Sequence, residues 1–403
     1  MPSRSDSVTR KRMSALLFKD KIRTRLSPMR HGERTFDFYD ASARESVSVY
    51  RELLNGWIAH YPSIEQRELF QRLRKGENLQ FYRTLAEIIV HEAIRYDSSR
   101  IEYHPTLFDT ATKPDFLKFF SDGQPAAYIE VTTCNPAKQD VAAAVRFGTI
   151  YNAIDMTRIP PGHALGLQVE QFGKASPNLG RLKRDVERWA ADAQQTLGNA
   201  ERLTQMFEAE DWRIELTLLK LSDPSAHLER SIGFHSAGAR WIDGSRDLRS
   251  ALERKTGFYG RLDAPFLIVV ADCKGEVGWG ESAKTELMEA LFGDEAVTVW
   301  HDKSGRVHSE PGRKLNGFFG DASEPRNQHV SAVLLLPQPD LWGLRNPMHQ
   351  PLLVHHPCAE YPLPPEVLPI PSLRLDADNR LSEVDGKPLA DLLSLPTDWP
   401  PAF

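Results

Sequence analysis

Apolar positions in the first hundred residues recur at helical spacing. "ESVSVYRELLNGWIAHYP" (45–62) and "IEQRELFQRLRKG" (64–76) each carry an apolar face, and Pro62 separates them. In "LQFYRTLAEIIVHEAIRY" (79–96), Phe81, Leu85, Ile88, Ile89 and Ala93 make a broad apolar stripe, which predicts a helix with a wide buried face. The period then shortens. "IEYHPTL" (101–107), "DFLKFF" (115–120) and "AAYIEVTT" (126–133) are short, β-branched and aromatic, with the breakers "DTATKP" and "SDGQP" between them. A helix followed by three successive strands predicts a sheet packed on that helix.

From about residue 139 the pattern alternates between strand and helix. "DVAAAVRFGTIYNAIDM" precedes the strand "ALGLQVEQF", and "LGRLKRDVERWAADAQQTL" precedes "WRIELTLLKL". A further helix, "SRDLRSALERKTGFYG", with Ser245 as its expected cap, leads into "APFLIVVAD". That run has no charge before Asp272, as a central strand covered on both faces requires. "SAKTELMEALFG", "EAVTVW" and "HVSAVLLLP" continue as helix, strand and strand. Beyond Pro337, "LPQPDLWGLRNP" and "PLPPEVLPIPS" are proline-dense and predict an irregular wrap, with one hairpin at "SLRLDADNRLSEVDG".

These patterns divide the chain into a leader (1–34), N-terminal helices (35–78), an α/β domain (79–336) with a βα-rich insertion at about 135–244, and a proline-rich extension (337–403). The 403 residues, 41% hydrophobic and 26% charged, describe a globular protein. Cys134, Cys273 and Cys358 lie far apart with no C-x-x-C pair, which favours a reducing compartment and excludes a zinc ribbon. No run approaches the roughly 18 apolar residues of a membrane span, and the expected location is cytoplasmic. The net charge of −5 argues against general nucleic-acid affinity, but the leader is basic. Its Arg10, Lys11, Arg12, Arg23 and Arg25 either track phosphates or belong to a solvated arm.

The candidate chemistry sits in "KPDFLKFFSDGQPAAYIEVTT" (113–133). Alternation puts Tyr128, Glu130 and Thr132 on one face of the last strand, and Ala127, Ile129 and Val131 on the other. The short turn "SDGQP" returns the chain antiparallel, so Asp115 at the head of one strand comes beside Glu130 near the end of the next. Two converging carboxylates repel, and one must take up a proton unless a cation lies between them. Mg²⁺ suits such a pair, because it favours oxygen ligands and uses one or two carboxylates while keeping several waters.

A helix bearing Glu87, a strand, Pro114–Asp115 opening the next strand, and Glu130 in a third resembles the PD-(D/E)xK phosphodiesterase superfamily, the restriction-endonuclease-like nucleases. The resemblance implies an αβββαβ core. It implies Mg²⁺, or Mn²⁺ in its place, on Asp115, Glu130 and the main-chain carbonyl of Val131, and hydrolysis of nucleic-acid phosphodiesters, more often DNA. Thr132 stands where that family usually has lysine. Members often carry a Q-x-x-x-Y-like helix before the fourth strand. Lys255 and Tyr259 take that spacing directly before "APFLIVV", so Lys255 would bring the ammonium from the helix. This makes about 135–244 an insertion. In an alternative arrangement "WRIELTLLKL" is the fourth strand and Lys183 or Arg184 approaches the site. The resemblance extends to a loose group of bacterial proteins with a PDF strand, an E-x-T strand and a later K-x-x-x-Y helix. A nuclease acting in defence against foreign DNA, or in processing it, is one expectation. A nuclease-fold protein without activity, serving as an interaction module with a protein partner or a second copy, is the other.

Other residues stay in two readings. Glu87 and His91 share a helix face: either Glu87 helps to hold metal or water with His91 beside it, or both belong to an ordinary, partly exposed face. "HHPC" (355–358) lacks a second ligand pair, and "GEVGWGES" (275–282) lacks the Lys-Ser/Thr of a phosphate loop.

Overall fold

The computed structural model describes residues 16–401, apart from 109, 135–137, 198–201, 224, 226–227, 229, 237–242, 258, 274–276, 278–279, 302–303, 305, 322 and 376–380. The chain is a mixed α/β protein with N-terminal helices and mixed sheets. It begins with α1 (Thr35–Ala41), α2 (Glu45–Ala59), α3 (Ser63–Lys75) and α4 (Asn78–Ile94), followed by β1 (Ile101–Tyr103), β2 (Phe116–Phe119) and β3 (Pro125–Thr133). Next come α5 (Lys138–Asp155), β4 (His163–Gln171), α6 (Leu179–Leu197), β5 (Arg202–Ala209), β6 (Trp212–Lys220) and β7 (Ile232–Ser236). The remainder holds α7 (Gly244–Thr256), β8 (Phe266–Asp272), α8 (Glu281–Phe292), β9 (Glu295–His301), β10 (Val307–Arg313) and β11 (Ala332–Pro337), then β12 (Leu352–His355), β13 (Ser372–Leu375), β14 (Leu381–Val384) and α9 (Leu389–Leu392). Among the described residues no helix is long and apolar enough to cross a membrane.

The chain divides into two compact units. One contains Met1–Leu26, Thr35–Cys134 and Asp243–Phe403, and the other Ser27–Arg34 with Asn135–Ile242. The larger unit is built on an eight-stranded sheet of order β1-β2-β3-β8-β11-β12-β13-β14. β1, β2 and β3 form an antiparallel meander, with Tyr103 opposite Phe116 and Leu117 opposite Tyr128. The "SDGQP" turn closes it because Gly123 takes a left-handed φ of +85° and its amide donates to the Phe120 carbonyl at 2.9 Å. β8 lies between β3 and β11, parallel to both, and all its residues are buried. On one face Tyr128, Phe266, Ile268, Val270, Val333 and Leu335 pack with Leu248, Ala251 and Leu252 of α7 and Leu287 and Leu291 of α8. On the other, α4 brings its His91 ring to 5.7 Å from the ring of Phe116.

The smaller unit has a four-stranded sheet of order β5-β6-β4-β7, antiparallel except for β4 with β7. Leu165, Leu167, Ile214, Leu216 and Leu218 face inward with Val186, Trp189 and Ala190 of α6 and Ile150 and Ile154 of α5.

Several local expectations are corrected. Two additional strands, β5 and β7, turn the alternating βα pattern into a mostly antiparallel sheet. β5 eluded periodicity because much of "RLTQMFEA" is solvent-facing. The cap of α7 is Asp243, whose side chain accepts from the Arg246 amide, and Ser245 only donates to that carboxylate at 3.0 Å. α7 ends at Thr256 with Gly257 as C-cap, so Tyr259 follows the helix instead of riding on it. β13 and β14 do pair antiparallel where the hairpin at "SLRLDADNRLSEVDG" is expected, but the proline-dense tail is less irregular than predicted. β12 joins β11 and carries this pair onto the large sheet, because the prolines bracket four-residue strands without interrupting them. The leader is not wholly solvated. Leu17 and Phe18 are buried, and Arg74 donates to the carbonyls of Leu16 and Leu17.

Candidate active site

The meander carries out what the turn implies. β2 and β3 pair with Phe116 opposite Ile129, and the same register carried back one residue puts Asp115 opposite Glu130; the Asp115 Oδ2 accepts the Val131 amide at 2.7 Å. Within a strand the amide and carbonyl of one residue point to the same side, so the Val131 carbonyl is directed to the β2 edge of β3. Glu130 alternates to the Tyr128 face, where α7 packs, and is only 3% exposed. There Lys255 Nζ meets Glu130 Oε1 at 2.5 Å. The Tyr259 hydroxyl also hydrogen-bonds Glu130. Burial, and then Glu130 itself, push that phenol far above its ordinary value. Lys255 and Tyr259 thus converge on one carboxylate although the helix stops between them. Thr132 is buried on the same strand, opposite Val270 of β8.

Asp115 is the electrostatic centre of the group. Burial raises its carboxyl well above the usual carboxylate range, and Glu130 and Glu87 push it further; the Val131 amide and Lys255 oppose them. Glu87, 8% exposed on α4, is gripped from α3 by Arg72, whose Nη1 and Nη2 reach Oε2 and Oε1 at 2.6 and 2.9 Å. Burial alone would lower the Arg72 guanidinium. The hydrogen bonds to Glu87 and the charges of Glu87, Glu68 and Asp115 carry it above its ordinary value instead. Sequence reasoning missed Arg72. Its spacing marks it as one more basic residue in "LFQRLRKG", and only the packing of α3 on α4 shows its partner.

The other candidates have partners of their own. His91 is fully buried between Glu92, 2.9 Å from Nδ1, and the Tyr103 hydroxyl, 2.8 Å from Nε2, and burial lowers its pKa. Lys183 and Arg184 ride on α6 in the smaller unit, and β6 belongs to that unit's sheet, so the parallel neighbour of β3 is β8. Arg10, Lys11 and Arg12 lie outside the described residues. Arg23 donates to the carbonyls of Asp40, Lys21 and Lys19, and the Arg25 guanidinium sits 5.2 Å over the Phe38 ring. His355 reaches the Ser372 hydroxyl at 3.2 Å and His356 the Arg326 carbonyl at 2.7 Å, so both act in packing. "GEVGWGES" falls largely outside the described residues, and its Gly280 precedes α8 with φ +57°.

Among the described residues no group of three or more His, Cys, Asp and Glu side chains stands together as a metal cage. Asp115, Glu130 and the Val131 carbonyl are instead an all-oxygen set with two carboxyls. Such a set fits a hard cation that retains most of its waters, as Mg²⁺ does, and does not fit a soft metal. The chain matches no protein-family model, no curated protein and no solved structure.

Proposed function

We propose that this protein is a Mg²⁺-dependent nuclease of the PD-(D/E)xK type that hydrolyses phosphodiester bonds of DNA, as an endonuclease or exonuclease. The observation that carries the reading is Lys255 Nζ at 2.5 Å from Glu130 Oε1, on the strand beside Asp115. It supplies from α7 the ammonium that Thr132 lacks. The order α4-β1-β2-β3-α7-β8, with β3 and β8 parallel, supports the αβββαβ core that this resemblance implies. Magnesium, or manganese in its place, would be held by Asp115, Glu130 and the Val131 carbonyl, and would neutralise charge on the phosphate while making a water more acidic. The Lys255 ammonium can donate hydrogen bonds to an attacking water or a phosphate oxygen. Glu130 and Tyr259 restrict where that ammonium can stand. DNA, and a place in defence against foreign DNA or in its processing, rest on the resemblance alone.

A second reading is favoured by one feature. Each carboxyl already has a protein partner: Arg72 on Glu87, the Val131 amide on Asp115, and Lys255 on Glu130. A nuclease fold neutralised in this way could serve as an interaction module for nucleic acid or protein. The test is cleavage of plasmid DNA, single-stranded DNA and RNA with Mg²⁺ or Mn²⁺, comparing wild type with Glu130→Ala and Lys255→Ala. Metal-dependent cleavage lost in both variants supports the nuclease. No cleavage of any substrate, with no metal binding by calorimetry, favours the module.

A further inference from the structure

Arg72 holds both oxygens of Glu87 in a planar fork, and it does so from a different helix, α3 against α4. The same guanidinium feels the charge of Asp115, and Asp115 in turn feels Glu87 and Glu130. These groups therefore share one electrostatic neighbourhood, with three carboxyls and two cations. Lys255 pairs with the carboxylate that would hold the ion, whereas Arg72 pairs with the one that need not. A fork of two charge-assisted hydrogen bonds fixes both the position and the plane of a carboxylate, which a lysine in its place would not.

We infer that Arg72 is a positioning residue that withholds Glu87 from the cation site and thereby sets which divalent ions the site accepts. The inference rests on the cation reading of Asp115 and Glu130. With Glu87 held away, the site offers two carboxyls and a carbonyl, which matches the few protein ligands and retained waters of Mg²⁺. With Glu87 released, a third and mobile carboxylate faces Asp115. That richer, more flexible oxygen set matches Ca²⁺, which takes about six to eight oxygens in variable geometry. A purely structural Arg72 would neutralise Glu87 and leave ion preference untouched.

The test is calorimetric titration of the full chain with MgCl₂, MnCl₂ or CaCl₂ and no nucleic acid. Arg72→Met should raise Ca²⁺ affinity relative to Mg²⁺ by about tenfold or more, the scale on which residues that orient metal ligands act. Arg72→Met with Glu87→Gln should return the ratio to the wild-type value, because the released carboxylate is gone. If Arg72→Met does not fold, Arg72→Lys keeps a charge and loses the fork, and its ratio should move in the same direction and revert with Glu87→Gln. An unchanged ratio, or a shift that persists in the double variant, overturns the inference while leaving the cation site in place. Wild-type protein that binds none of the three ions overturns the cation reading, and this inference with it.

Discussion

Lys255 Nζ stands 2.5 Å from Glu130 Oε1, although the Asn135–Ile242 segment of the second unit intervenes between the two residues in sequence. Lys255→Ala should abolish cleavage, by about 10²-fold or more, while Mg²⁺ binding survives; Glu130→Ala should lose both. The loss of the ammonium also leaves a buried carboxylate short of a partner. Chemical denaturation should show a cost of about 1–3 kcal/mol, the lower part reflecting the partial exposure of Lys255.

If the helix has taken over the strand lysine's work, the work can be handed back. Thr132 lies on the face of Glu130, one alternation further along β3. Thr132→Lys in the Lys255→Ala background should recover part of the lost cleavage, measured as single-turnover rate. No recovery in a folded double variant would show that the position on α7 cannot be replaced from the strand.

Asp115 works against stability. Its folded pKa lies above the unfolded value of roughly 4, so between the two the native state holds a proton that the unfolded chain has released. Stability contributed at this position is therefore lost as pH rises above about 4. Asp115→Asn should raise the Tm of the metal-free protein at pH 8 and abolish its response to Mg²⁺. A variant that melts lower than wild type at pH 8 would contradict the assigned strain.

Asp340 gives a second, metal-independent window. Burial pushes its carboxyl up to about 6, opposed by the Trp342 and Leu341 amides. By the same sign, its contribution falls between about pH 4 and 6 and is level above that, with a total of no more than about 3 kcal/mol. Asp340→Asn should be more stable than wild type at pH 7 and indistinguishable from it near pH 4, as read by urea melts.

Lys118 ties the tail to the sheet. It is 2% exposed on β2, and its ammonium reaches Asp97 at 3.1 Å and the carbonyls of Glu366 and Val367 at 3.2 Å. Lys118→Ala removes the packing and leaves these acceptors short of a donor, at a cost of about 2–4 kcal/mol. Limited proteolysis should then cut near 363–370 before any other site, and an unchanged cleavage pattern would argue against the tie.

Local pattern carried a good part of this architecture. The helical stripe of 79–96, the three short strands and the glycine turn between the last two place Asp115 beside Glu130 with no knowledge of the rest of the chain. Strand alternation even assigns Glu130 to the Tyr128 face. These features depend on periods of 2 and 3.6 and on a turn whose ends are adjacent, and all of that is written within a few residues. The tail was harder, because its strands are four residues long and only the pairing of β12 with β11 joins them to the large sheet.

The chain order alone determined which carboxylates could meet, and it narrowed the cation beside them to Lys255 on one helix or Lys183 or Arg184 on another. Only the tertiary structure decided between them. β8 takes the place beside β3 while β6 joins another sheet, and parallel pairing needs a crossover whose partner no local pattern names. The grip of Arg72 on Glu87 was likewise decided by helix packing. A bidentate pair between two helices depends on their relative placement and leaves no periodic trace in either sequence.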